Sequence, residues 1–157
     1  MNDRPLMHLF EENELNISKL YALYAEKVPD KSGFWERLSQ EEAAHASNVG
    51  ESRHEADHGT PVAENKFSRG IIRYVMDFVL EEIEKAHEYE VSHREALCTA
   101  LRIERSMLEK KCFDIFTPSS ESVKSVLCRL NSETERHIEI LLKEMKKNKF
   151  AFEKQEA

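Results

Sequence analysis

Leu38-Ser39-Gln40-Glu41-Glu42-Ala43-Ala44-His45 is the stretch on which the fold turns. Read as helix, Trp35, Leu38, Glu42, His45 and Val49 fall at steps of three and four and share one stripe. An apolar stripe faces a core, yet this one has a carboxylate and an imidazole at its middle. Burying either alone costs several kcal/mol. A metal ion removes that cost, because it takes anionic oxygen and neutral nitrogen as ligands. Glu-x-x-His on an inward helix face is the ligand unit of carboxylate-bridged metal sites in helical bundles. A surface Glu-His pair has the same spacing, so one copy decides nothing. A second, partial copy lies further along.

The first helix is expected from about Asp3 to Val28, with Pro29 as its stop. Its stripe is Phe10, Glu14, Ile17, Tyr21, Tyr24 and Val28, so Glu14 interrupts an apolar row as Glu42 does. A carboxylate at the rim of the stripe is the plainer account of Glu14. Glu11 and Glu12 fall off the row and read as solvated. Tyr21 and Tyr24 read as core aromatics, with a hydrogen bond to a ligand carboxylate as the sharper role for one of them. Pro29 to Gly33 is a short turn that predicts an antiparallel hairpin. The second helix then runs from about Ser32 to Val49, with Gly50 as its C-terminal stop.

Glu51 to Lys66 is polar, holds Gly59 and Pro61, and reads as loop or frayed helix. His54-Glu55-Ala56-Asp57-His58 matches the zinc-protease pattern literally, but its neighbours are Glu51, Ser52, Arg53, Gly59 and Thr60. Nothing apolar dries such a site, so the match reads as chance. Ser68 to about His87 predicts a helix with a wide apolar face: Ile71, Ile72, Val75, Met76, Val79, Leu80 and Ile83. That face carries no inward carboxylate and suits a cover over the bundle, a bridge between its halves, or a dimer interface. Ser92-His93-Arg94-Glu95 has the form of a capping box. The helix after it is expected to reach Phe116, with the row Leu97, Ala100, Leu101, Glu104, Met107, Leu108 and Cys112 or Lys111. A turn at Thr117 to Ser120 leads to a last helix capped by Ser119 or Ser120 and ending near Lys147, beyond which the polar tail is expected to fray. Its inner face is Val123, Val126, Leu127, Leu130, His137, Leu141 and Met145. His8, His87 and His93 read as surface or cap-adjacent residues.

Composition bounds the function. A chain of 157 residues is expected to form one domain, residues 1–150, with a polar tail at 151–157. Charged residues make up 34% and Gly and Pro number four each, which favours long helices over strands. A net charge of −7 argues against general nucleic-acid binding. No run of about 18 apolar residues exists, so no membrane span is expected, and the N-terminus lacks the apolar core of a signal peptide. Cys98, Cys112 and Cys128 read as reduced, mostly buried thiols of a cytoplasmic protein. No Cys-x-x-Cys is present to build a rubredoxin-type iron site or a zinc ribbon.

Two halves line up. Glu14 on one helix is followed by Glu42 and His45 on the next; Glu104 on one helix is followed by Thr134 (or Glu133) and His137 on the next. Both separations fit a long helix, a turn, and a return to the same level. Two such hairpins about a pseudo-twofold axis place these groups in one core, with residues 51–91 as the crossover.

The chain resembles a rubrerythrin-type member of the ferritin-like family. The resemblance rests on Glu14 with Leu20 to Lys27, on Leu38 to Ala46, on Ala96 to Lys110, and on Glu133-Thr134-Glu135-Arg136-His137. It spans nearly the whole chain apart from 51–91. It implies an all-α, ferritin-like four-helix bundle with a long crossover containing an additional helix. It also implies a non-haem centre of two iron ions held by Glu14, Glu42, His45, Glu104 and His137. The family's remaining carboxylate falls on Thr134. Either Glu133 replaces it from one residue back, or that position is weak, vacant or differently metallated. The implied activity is reduction of hydrogen peroxide, or of dioxygen, by an oxidoreductase that is expected to form a homodimer. The family's rubredoxin module has no counterpart here, which implies a separate electron donor. Two further readings stay open: a bundle that stores or senses metal without turnover, and a decayed site in an interaction domain.

Overall fold

The computed structural model describes residues 6–58, 66–109 and 121–150, all of them in helices or the short links between them. Five α-helices follow one another: α1 (Leu6–Lys27), α2 (Ser32–His58), α3 (Lys66–Glu88), α4 (His93–Glu109) and α5 (Glu121–Lys147). Among the described residues there is no strand, and no helix is long and apolar enough to cross a membrane.

Pro29 ends the first helix as the sequence predicts. Val28 N–H still closes on Tyr24 O at 2.9 Å, and a single 3-10 turn over Pro29–Lys31 reverses the chain. The hairpin of α1 and α2 is antiparallel, since Tyr24 meets Trp35, Ser18 meets Ser39 and Glu11 meets Gly50. At the Ser18–Ser39 crossing each hydroxyl donates to the other residue's carbonyl at 2.8 Å, which lets the two backbones approach closely. The hairpin of α4 and α5 is antiparallel too, since His93 meets Glu144 and Glu104 meets His137.

The hairpins pack with α4 against α1 and α5 against α2, again antiparallel. Tyr21 meets Glu104 and Asn13 meets Met107 on one side; Glu41 meets Arg136 and His45 meets Glu133 on the other. Helix α3 is the crossover. It runs antiparallel to α4, with Glu82 beside Thr99 and Phe78 under Arg102, and lies along α1. The capping box holds the turn between them: Glu95 N–H donates to Ser92 Oγ at 3.1 Å, and Ser92 N–H to Glu95 Oε1 at 3.3 Å.

The core follows the expected rows. Phe10, Ile17, Tyr21 and Tyr24 of α1, Trp35, Leu38 and Val49 of α2, Leu97, Leu101 and Met107 of α4, and Leu141 and Met145 of α5 are all buried. Large side chains such as these contribute roughly 1.5–3 kcal/mol each. From α3, Ile72, Val75, Met76 and Val79 are buried and Ile83 is half-buried, so its face packs into the common core. Leu80 is exposed, and the face is narrower than expected.

Three other expectations change. Gly50 does not stop α2, which continues to His58. No described glycine adopts positive φ, and a Cβ on Gly50 would stand 2.8 Å from the Glu11 carboxylate. Gly50 lies within the helix, with the mobile end of the Glu11 side chain against it, and does not turn the chain. The thiols are not mostly buried: Cys98 is half-buried and Cys128 exposed. The end of α5 does not fray at Lys147. Lys149 takes φ 58°, its N–H bonds Lys146 O at 3.1 Å, and Phe150 N–H bonds Met145 O at 3.0 Å. This is a Schellman cap, with Phe150 folded back on the core.

Several expectations lie outside the described residues. They are a helix start at Asp3, the breaker at Gly59 and Pro61, and the end of the fourth helix at Phe116. The Thr117 to Ser120 turn with its cap, Cys112, and the 151–157 tail also lie outside, as do the side chains of Ile71, His54, His58, Leu108, Val123, Val126, Leu127 and Leu130.

Candidate metal centre

The inward stripes of α1, α2, α4 and α5 converge at mid-height on polar groups. Glu14, Glu42, His45, Glu104 and His137 are all buried, and so is Thr134. Of the six residues singled out as ligands, the first five share one pocket, and Glu133 stands at its outer side.

His137 is the hub. Its Nδ1 lies 3.0 Å from Glu42 Oε1 and 3.2 Å from Glu104 Oε1. His45 Nδ1 lies 3.3 Å from Glu42 Oε2 and 3.7 Å from Glu14 Oε2. The two imidazoles stack, with centroids 5.2 Å apart and planes 25° from parallel. Both Nδ1 atoms thus face the carboxylates, with Glu42 between them. Glu42 Oε2 is buried and faces only His45 Nδ1, at 3.3 Å and off the line of a well-formed hydrogen bond. Tyr21 fixes Glu104 from α1 by donating its hydroxyl to Oε2 at 3.3 Å, so one tyrosine does bond a candidate ligand carboxylate.

The outer nitrogens have carboxylates of their own. His137 Nε2 lies 2.8 Å from Glu41 Oε1, and His45 Nε2 lies 3.8 Å from Glu133 Oε2. Arg136 ties these two carboxylates together, donating to Glu133 at 2.8 Å and closely to Glu41. Glu41 precedes Glu42 as Glu133 precedes Thr134, so each histidine's outer nitrogen faces the matching position of the opposite helix. A carboxylate behind a metal-binding histidine fixes its tautomer and strengthens it as a ligand.

Sequence reading missed Glu41. Its visible partner is Arg37, one turn earlier and 3.3 Å away, the mark of a solvated pair. The usable signal was the repeat itself, which sets Glu41 against Glu133. His93 is cap-adjacent, as expected, and it is also buried, held by Trp35 and Glu144.

The electrostatics describe a pocket under strain. Burial, with the Glu42 charge beside it, pushes Glu14 well above the usual carboxylate range. The same causes raise Glu104. Burial would raise Glu42 as well, but hydrogen bonds from Glu14, His137 and His45 overcome it and hold Glu42 below the usual range. Burial works against protonating the imidazoles, yet hydrogen bonds to Glu14 and Glu42 lift His45 to about 10, and those to Glu104 and Glu42 lift His137 to about 11. Burial opposes ionising Glu41, and bonds from His137 and Arg136 still lower it. In the ligand form, with three carboxylates ionised and both imidazoles neutral, the pocket would hold three uncompensated negative charges. A bound cation offsets them.

Ligand atoms of Glu42, His45 and His137 lie within 4.8 Å of one another, as do those of Glu41, Glu133 and His137, so this buried Glu/His group could hold a metal ion. Compared with protein-family models, with curated proteins and with solved structures, the chain matches none.

Proposed function

We propose that the chain is a ferritin-like four-helix bundle of rubrerythrin type, an oxidoreductase with a non-haem di-iron centre that reduces hydrogen peroxide, or dioxygen, with electrons from a separate donor. The observation that carries this reading is the meeting of Glu14, Glu42 and Glu104 with His45 and His137 in one buried pocket. The two antiparallel hairpins joined by a lengthwise crossover support the same architecture.

The residues fit the metal. Acidic oxygens and imidazole nitrogens suit iron, and Glu42 Oε2 is a buried acceptor without a well-formed hydrogen bond, 3.3 Å from His45 Nδ1. Glu14, Glu42 and His45 would hold one ion and Glu104 and His137 the other, with Thr134 leaving the second position one carboxylate short. Bound iron supplies one-electron redox chemistry to a small oxidant. Tyr21 orients Glu104 and Glu41 orients the His137 ring, while Glu133, tied to Glu41 by Arg136, stands 3.8 Å from His45 Nε2. Phe10 and Ile17 share the buried row of Glu14, Leu38 that of Glu42, and Leu101 and Met107 that of Glu104, an apolar surround that would keep water from the ions.

Elemental analysis of protein expressed with iron tests the reading. The expected result is about two ions per chain, or about one where Thr134 leaves the second position open, and a visible spectrum that peroxide alters. Glu42→Ala should lower both iron content and unfolding temperature. Bound metal with no turnover under any reductant would favour a storage or sensing bundle. No metal uptake, with Glu42→Ala as stable as the parent, would leave an interaction domain.

A further inference from the structure

Trp35, the chain's single tryptophan, is wholly buried and tied into a hydrogen-bonded line. Its indole N–H donates to His93 Nδ1 at 3.1 Å. An indole nitrogen can only donate, so Nδ1 carries no proton, and His93 Nε2–H donates to Glu144 Oε2 at 2.8 Å. His93 and Glu144 are each 8% exposed, and Lys31 Nζ stands 4.0 Å from the same carboxylate oxygen. On the inner side the Tyr21 ring lies 5.5 Å from Trp35, and its hydroxyl reaches Glu104 at 3.3 Å. On the outer side the half-buried Phe34 meets Trp35 edge-on at 5.1 Å and His93 at 5.7 Å, while Phe150 closes over His93 at 6.0 Å.

Aromatic packing alone would account for Trp35, Tyr21 and Phe34. It does not account for a neutral imidazole with its bare nitrogen aimed at the indole and its other end on a buried carboxylate. We propose that Trp35 is an electron-relay residue whose oxidation is coupled to proton transfer onto His93. A one-electron oxidant takes one electron from the indole, the Nε1–H bond breaks, and the proton forms a bond to His93 Nδ1. The products are a neutral indolyl radical and an imidazolium beside Glu144. An external one-electron donor returns the electron, and the proton goes back to Nε1. Glu144 is needed because His93 is the first residue of α4, where the helix dipole disfavours a cation. The coupling of Trp35 to His93 stands on this geometry alone. Its use as a conduit past Tyr21 to Glu104 rests on the function proposed above, with the oxidised iron centre as oxidant.

The first test needs no iron. Full-length metal-free protein is oxidised by a flash-generated tris(bipyridine)ruthenium(III) complex and followed by transient absorption. The expected product is the deprotonated indolyl radical of Trp35. His93→Phe should slow its deprotonation by about a hundredfold, and Glu144→Gln, which keeps a hydrogen bond and the shape, should slow it by less. A solvent deuterium effect on the parent protein covers the case in which His93→Phe does not fold. A long-lived protonated indole radical cation in the parent, or equal deprotonation in Glu144→Gln and the parent with no deuterium effect, would overturn the coupling. The second test reduces iron-loaded protein with photoreduced methyl viologen in a stopped-flow spectrometer. Trp35→Phe should bind the same iron and bleach about tenfold more slowly, the lower end of the loss typical for residues around a metal site. Equal bleaching would overturn the conduit. Failure to bind iron would remove its destination and overturn it as well, while leaving the flash result standing.

Discussion

Thr134 stands where a fourth buried carboxylate would complete the twofold arrangement, at the position that matches Glu42. Thr134→Glu therefore separates a metal site from a buried hydrogen-bond cluster. Without metal, another acid in a pocket that already pushes Glu14 and Glu104 upward should cost about 3 kcal/mol. That is roughly 6–12 °C in unfolding temperature for a chain of this size. With iron(II) present the sign should reverse, and iron content should rise toward about two ions per chain. Differential scanning calorimetry with and without iron reads both; a variant equally destabilised in each condition would deny any cation a place there. Glu41→Gln tests the outer ring. It keeps a hydrogen-bonding group near His137 Nε2 but removes the charge, and should weaken metal binding by about 10–100-fold in a competition titration while helicity stays unchanged. At this scale the sequence was informative wherever an acid interrupted an apolar row, as at Glu14, Glu42 and Glu104. It was silent at Glu41, because helical spacing shows a residue's own face and not what the opposite helix brings to it. His93 was obscured in the same way, since its partners Trp35 and Glu144 are 58 and 51 positions away.

Among the elements, stop signals were legible where they act through the backbone alone. Pro29 lacks an N–H and ends α1; Ser92 and Glu95 form a box that sequence spacing dictates. Gly50 misled because glycine is tolerated inside a helix as well as at positive φ beyond its end, and only the backbone, which stays helical to His58, shows which applies. The cap of α5 went unread because lysine, not glycine, takes the left-handed position. That choice carries strain: a residue with a Cβ at positive φ costs roughly 1 kcal/mol over glycine. Lys149→Gly should accordingly raise stability by about 0.5–1 kcal/mol in urea unfolding, with an unchanged slope, after allowance for glycine's freer unfolded state. No gain, or a loss, would show that the Lys149 side chain contributes more than its backbone costs.

For the molecule as a whole, the repeat was legible because two hairpins of one chain had to bring their acids to the same level, and helix length fixed that level. The wide face of α3 could not be assigned from sequence, since apolar residues do not say which helix covers them. A metal ion held in this pocket would be linked to protons, and the sign of that linkage follows from the buried groups. His45 and His137 are raised to about 10 and 11, so their stabilising contribution is whole below the unfolded histidine value, near 6.5, and is lost as pH rises through 10–11. Glu14 and Glu104 are raised too, so they favour folding in acid and oppose it as pH climbs past about 4.5. Glu42 is lowered; its contribution is present above that value and lost as pH falls. Near neutrality the ion-free pocket therefore keeps protons that a cation must displace. Apparent affinity for cobalt(II), a spectroscopic stand-in for iron(II), should rise by about tenfold or more per pH unit between roughly pH 6 and 8, as each displaced proton demands. By mass action, each tenfold step widens the stability gap between loaded and metal-free protein by about 1.4 kcal/mol. Calorimetric melts at the two pH values, with and without cobalt(II), measure that gap directly. A gap that is the same at both would mean the cation binds elsewhere, at groups already deprotonated, and not among these buried imidazoles and acids.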